Sequence, residues 1–162
     1  MKNKNVLFLT QAAMIAAVYV ILTEVFAPIS FSVGQVRIAE ALTILPAFTP
    51  AAIVGLFIGC LIGNVLAGAV LWDVIFGSLA TLIGAYVTHL LRKQNKFLAP
   101  IPPIISNTII IPLILRYAYG LKYAMSFMML MVGLGEIISC GVLGMIFYAS
   151  LQKHRNRIFK IT

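Results

Sequence analysis

The chain has 162 residues, 62% of them hydrophobic and only 10% charged, with a mean hydropathy of +1.06. A soluble domain of this size carries far more polar surface, so lipid must be the solvent for most of this chain. A spanning helix takes roughly 20 apolar residues, which leaves room for five or six spans and excludes a separate soluble domain.

The first apolar run predicts a helix from Val6 to Val25, preceded by Lys2 and Lys4. It is long enough to span, and the absence of a small-residue cleavage site before Pro28 argues against a removable signal peptide. A Pro/Gly/Ser-containing loop, Ala27 to Gln35, leads to a short second helix, Val36 to Phe48, which ends at Thr49-Pro50. The third helix runs from Pro50 to Ala69, with proline suited to its first turn. The fourth, Asp73 to Leu91, closes on the basic turn Arg92-Lys93-Gln94-Asn95-Lys96. The fifth, Leu98 to Tyr117, carries Pro100, Pro102, Pro103 and Pro112. The sixth, Lys122 to Leu151, is longer than a bilayer requires, so it should tilt or project. The expected fold is an all-α membrane protein of six transmembrane helices in one domain. The second helix is too short to span comfortably. Short tails, 1–5 and 152–162, flank the bundle.

With six segments, the N-terminus, the turn after the fourth helix and the C-terminus share one side. That side holds Lys2, Lys4, Arg92, Lys93, Lys96, Lys153, Arg155, Arg157 and Lys160, nine of the twelve basic residues; Arg37, Arg116 and Lys122 fall on the other. The positive-inside rule then puts both termini in the cytoplasm. The net charge of +8 is thereby explained by topology, without nucleic acid as a partner.

Gly55, Gly59, Gly63 and Ala67 recur every fourth residue on one face of the third helix. Helices in lipid associate through such close-approach faces, and intramolecular packing is the expected use here. Ala12/Ala16 and Ala13/Ala17 give the first helix a doubled version, and Gly77, Thr81 and Ala85 a similar face on the fourth. No sequence repeat relates the two halves. Cys60 and Cys140 lie in apolar runs without metal-ligand or redox spacing and read as small buried residues.

The four acidic residues, Glu24, Glu40, Asp73 and Glu136, all avoid the tails and basic loops. Three lie near the outer ends of helices, whereas Glu136 lies about halfway along the sixth. A charge at a helix centre costs about 2.5–3.5 kcal/mol on insertion scales, so Glu136 must face protein or water. Asp73 is suited both to capping the fourth helix and to a site. Glu40 lies one turn from Arg37, which fits an ion pair as well as a ligand contact. Asn64 and Asn107 add amides, the second near a Thr108 carbonyl that Pro112 leaves without its backbone donor. Trp72 suits an interfacial anchor or a stacking platform. No GxxxxGK[ST] loop, HExxH or GxSxG occurs, and neither His89 nor His154 has a triad partner. These residues describe a solute carrier, a binding subunit powered by other chains, or a scaffold, and not an enzyme.

Several stretches resemble the QueT family of queuosine-precursor transporters. They are Pro28 to Pro46 (PISFSVGQVRIAEALTILP), Thr49 to Gly59 (TPAAIVGLFIG), Trp72 to Leu82 (WDVIFGSLATL), Leu98 to Pro103 (LAPIPP) and Gly133 to Glu136 (GLGE). The match keeps its order over roughly residues 10 to 148, and is loosest around Asn107. The resemblance implies a substrate-binding S-component of an energy-coupling-factor transporter. Its partners would be a transmembrane coupling subunit and two ATP-binding subunits, with no cofactor. It also implies that small residues on the first helix, here Ala12, Ala13, Ala16 and Ala17, dock the coupling subunit. A 7-deazaguanine offers paired N–H donors to a carboxylate, a carbonyl that needs a donor, and a flat ring that stacks. Glu136, Asp73, Glu40, Arg37, Asn107, Asn64, Trp72 and Gln35 are the expected substrate contacts.

Overall fold

The structure, a computed structural model, describes residues 2–30 and 36–154. Gln35 and the tail residues Arg155, Arg157 and Lys160 lie outside the described residues. In chain order come α1 (Lys2–Val25), α2 (Ala27–Ser30), a 3₁₀ segment (Ile38–Ala47), α3 (Ala51–Leu66), α4 (Leu71–Leu91) and α5 (Ile101–Tyr117), with a short 3₁₀ turn at Lys96–Leu98 before α5. The chain then forms α6 (Met125–Glu136), a π-helical segment (Ile137–Leu143) and α7 (Gly144–Gln152). Lys4–Val25, Leu71–Leu91, Lys96–Tyr117 and Met125–Gln152 are long and apolar enough to cross a membrane; Ile38–Ala47 and Ala51–Leu66 are shorter apolar helices. The all-helical expectation holds, with three local differences. Part of the expected first loop is helical, the second segment is 3₁₀ rather than α, and the sixth is interrupted by a π segment.

Close contacts fix the path of the chain. Gly55, Gly59 and Gly63 of α3 meet Ala12, Ala16 and Thr23 of α1 in the same order, so these two helices run parallel. A Cβ at Gly55 would lie 2.6 Å from the Ala12 carbonyl oxygen, and one at Gly59 would lie 2.8 Å from Tyr19 Cβ. The glycine face therefore serves intramolecular packing, with backbones close enough for dispersion to hold them in lipid. The 3₁₀ segment supplies the return path between them. Ten residues at a rise of about 2 Å cover roughly 20 Å, against about 15 Å in an α-helix, so a segment too short to span as α reaches further in this form.

Antiparallel neighbours follow. Asn64 and Cys60 of α3 meet Asp73 and Thr81 of α4, and Thr88 of α4 donates to the Ala99 carbonyl (2.9 Å) at the entry to α5. A Cβ on Gly84 would sit 2.7 Å from Pro103 Cα, so α4 and α5 approach closely here. Asn107 of α5 reaches Glu136 at the end of α6. The sixth crossing lies parallel to the 3₁₀ segment, with Ile44 against Gly144 and the Phe48 and Tyr148 rings 4.6 Å apart. His89 Nδ1 lies 2.7 Å from the Pro46 carbonyl, which can only accept, so that nitrogen carries the proton and fastens the 3₁₀ segment to α4. Gly68 and Gly120 take positive φ, 73° and 69°, in the turns after α3 and α5, where a side chain would be strained. Among described residues, Lys4, Arg92, Lys93, Lys96 and Lys153 gather at one end of the bundle. Large apolar side chains such as Leu9, Ile21, Leu71, Leu130 and Ile146 are exposed around its circumference, as a lipid-facing surface requires.

Candidate solute-binding site

The 3₁₀ segment forms the centre of the bundle, with every residue from Ala39 to Pro46 buried. Three residues per turn place i and i+3 in register, so Arg37, Glu40 and Thr43 share one edge. All three are buried, and Glu40 is 0% exposed. Tyr19 of α1 donates to Glu40 Oε1 at 2.5 Å, and Thr81 of α4 donates to the same oxygen at 3.4 Å. Thr43 donates to the Glu40 carbonyl at 2.6 Å and lies 3.3 Å from Cys140 Sγ.

Opposite this edge, Glu136 ends α6 where the π segment begins, and Cys140 follows one turn later. The thiol donates to Glu136 Oε2 at 3.2 Å, and Asn107 Nδ2 donates to Oε1 at 2.9 Å. Glu40, Glu136 and Cys140 each offer an atom within 4.8 Å of the other two. That donor set suits a cation; it is the one grouping of metal-ligand type among the described residues.

A second cluster lies nearer the end away from the basic residues. Arg37 Nη2 donates to Asn64 Oδ1 at 2.7 Å. Asn64 Nδ2 makes only long contacts, 3.4 Å to the Asp73 carbonyl and 3.6 Å to Cys60 Sγ. Tyr119, in the turn after α5, donates to Asp73 Oδ2 at 3.0 Å. Burial and the neighbouring Asp73 push the Tyr119 phenol up to about 12, so it stays a donor at neutral pH. Gly77 faces the same carboxylate, where a Cβ would come 2.8 Å from Asp73 Oδ1 and 3.3 Å from Asn64 Nδ2.

The buried atoms without a hydrogen-bond partner among the described residues are Glu40 Oε2, Asp73 Oδ1, Asn107 Oδ1, Thr108 Oγ1 and Ser139 Oγ. Leaving one such group unpaired costs about 1–3 kcal/mol, so five in one small bundle are not accounted for by packing. Three are acceptors only, on residues that also join the two clusters. The arrangement suits a polar solute rich in N–H donors.

Of the expected contacts, Glu136, Glu40 and Asn107 fall in the deeper cluster and Asp73, Arg37 and Asn64 in the outer one. Trp72 is in neither: it is 57% exposed, its ring stacks on Phe76 at 5.8 Å, and with Leu113 and Tyr117 it lines an outward groove. That position suits an interfacial anchor. Glu24 is likewise exposed and outside both clusters. On α1 the doubled alanine pattern divides: Ala12 and Ala16 are buried against α3 and are not available for docking, whereas Ala13 and Ala17 are exposed. Sequence reasoning missed Tyr19, Thr43, Thr81, Cys140 and Tyr119. The signal for Thr43 was present, since Arg37, Glu40 and Thr43 recur every third residue.

A model of QueT transporters matches residues 9–153, nearly the whole chain and every element that builds the clusters. The chain belongs to the QueT transporter family. A curated relative in Lactococcus lactis subsp. cremoris (strain MG1363), named queuosine precursor transporter QueT, is 37% identical over 99 residues. That match covers 59% of this chain and 57% of the relative, so the chain spans little more than half the length of this QueT protein. No solved structure matches the chain.

Proposed function

We propose that this QueT-family chain is the solute-capturing membrane subunit of an ATP-driven importer of the energy-coupling-factor type, and that its solute is a 7-deazaguanine precursor of queuosine such as preQ0, preQ1 or queuine. The observation that carries this reading is the set of buried unpaired acceptors on Glu40, Asp73 and Asn107. The ring N–H and exocyclic amine of a 7-deazaguanine lie side by side, and a carboxylate accepts both. Its carbonyl needs a donor, and Asn64 Nδ2, held only by long contacts, is suited to that task.

The basic end of the bundle faces the cytoplasm by the positive-inside rule, so Asp73, Asn64 and Tyr119 lie toward the outside and Glu136 deeper. The chain carries no nucleotide-binding loop, so ATP is hydrolysed by two partner subunits that act through a transmembrane coupling subunit. Ala13 and Ala17 supply an exposed small-residue face for that contact. The loaded subunit then delivers its solute by rocking within the membrane.

Calorimetry on the purified chain with a panel of 7-deazaguanines tests the solute, and heat with none of them sinks it. Glu136→Gln should weaken binding more than tenfold, a loss above about 1.4 kcal/mol. The closeness of Glu40 and Glu136 also favours a second reading, a proton-coupled carrier. Uptake by the chain alone in liposomes, abolished by an uncoupler, would establish it over the ATP-driven one.

A further inference from the structure

The deeper cluster sets two buried carboxylates among neutral hydrogen-bond donors. Among the described residues, three carboxylates are buried, Glu40, Asp73 and Glu136, against one buried guanidinium, Arg37. Arg37 lies with Asn64, in the outer cluster. Among the described residues, the side chains that donate to Glu40 and Glu136 are neutral: the hydroxyls of Tyr19 and Thr81, the Asn107 amide and the Cys140 thiol. Two carboxylates within 4.8 Å in an apolar interior repel one another unless a proton or a cation comes between them. Two further polar atoms on these same residues are buried without a hydrogen-bond partner among the described residues. Glu40 Oε2 has no partner at 0% exposure, and Asn107, whose amide holds Glu136, leaves its own Oδ1 unpaired at 1% exposure.

We infer that Glu40 and Glu136 together cradle an alkylammonium group of the solute, so that the site selects amine-bearing 7-deazaguanines over neutral ones. This rests on the 7-deazaguanine reading above and assigns its parts. An ammonium is a tetrahedral set of donors, and two oxygens each about 2.8 Å from its nitrogen stand roughly 4.6 Å apart. That span falls inside the 4.8 Å within which Glu40 and Glu136 each offer an oxygen, and a third N–H remains for Asn107 Oδ1. The base edge is left to the outer cluster, where Asp73 Oδ1 accepts and Asn64 Nδ2 donates. Gly77 keeps the space beside both free of a side chain. A nitrile at the same ring position is linear and only accepts, so it would set a lone pair against carboxylate oxygens.

Calorimetry on the full chain in nanodiscs, with 7-aminomethyl-7-deazaguanine and 7-cyano-7-deazaguanine as a matched pair, tests this. The aminomethyl compound should bind roughly tenfold or more tighter, the range a charged hydrogen bond supplies. In Glu40→Gln and in Glu136→Gln the ratio of the two affinities should fall toward one, whereas Asp73→Asn should weaken both compounds and preserve the ratio. Equal affinities in the unmodified chain overturn the ammonium assignment and leave the 7-deazaguanine reading standing. A ratio that collapses in Asp73→Asn but survives both glutamine variants overturns the placement. Silence with both compounds removes the reading on which the assignment rests.

Discussion

Two glycines on α4 lie seven residues apart and separate packing from binding. At Gly84 an added Cβ would stand 2.7 Å from Pro103 Cα, 3.0 Å from Pro103 Cβ and 3.1 Å from Pro103 N. Carbon atoms rest at about 3.5–4.0 Å, so α4 and α5 would have to part by about 1 Å at this crossing. Proline there cannot rotate away, because the contact is its backbone and ring. Overpacking of this kind costs about 1–3 kcal/mol, and Gly84→Ala should lose stability within that range. At Gly77 the same methyl meets only the tips of two side chains, Asp73 Oδ1 at 2.8 Å and Asn64 Nδ2 at 3.3 Å. Those tips can swing aside at little cost to the fold, but they are the groups assigned to the base edge. Gly77→Ala should therefore weaken solute binding about tenfold, or about 1.4 kcal/mol, with near-normal stability. Cys60 and Cys140 are both fully buried, so heating the variants with a thiol-reactive dye reads unfolding, and calorimetry reads binding. The reasoning fails if Gly77→Ala lowers the unfolding midpoint as much as Gly84→Ala does, or if it binds solute with unchanged affinity.

Tyr19→Phe removes the 2.5 Å donor from Glu40 Oε1 and should cost about 1.5–3 kcal/mol, the worth of a hydrogen bond to a charged group, measured as a lower unfolding midpoint in the same dye assay. Ala13→Leu with Ala17→Leu alters only the exposed side of α1. Solute binding should be unaffected and uptake with the coupling and ATPase subunits abolished; uptake at the original rate would remove this face from the docking surface. Ala12→Leu should instead lower the unfolding midpoint, because that side is closed by α3 at Gly55.

The helical class and four long crossings were legible because apolar length alone decides them. So was the role of the glycine face of α3, whose spacing of four suits close helix packing in lipid, here against α1. The 3₁₀ segment was not, because its composition suits an α-helix and only the threefold recurrence of Arg37, Glu40 and Thr43 distinguishes the two forms. The π segment left no periodic signal either. It begins directly after Glu136, a position typical of π insertions beside functional side chains. Polar residues were easiest to find where they stood alone in an apolar run, as Glu136 does. Tyr19, Thr81 and Cys140 were overlooked because a phenol, a hydroxyl or a thiol is ordinary in a membrane helix, and only the approach of Glu40 and Glu136 gives each a task. The alanines of α1 show the opposite limit, since spacing identifies a face without saying which neighbour covers it.

The threefold edge of Arg37, Glu40 and Thr43 also bears on how this protein can change over evolutionary time. One residue inserted or deleted within Ile38–Ala47 would rotate everything beyond it by about 120°, carrying Thr43 away from Cys140 and Ile44 away from Gly144. Only a change of three residues would restore the edge, and it would then shift the segment by a full turn against α4, where His89 holds Pro46. Length variation among relatives should therefore collect in the turns at Gly68 and Gly120 and spare this segment, whatever substitutions it accepts.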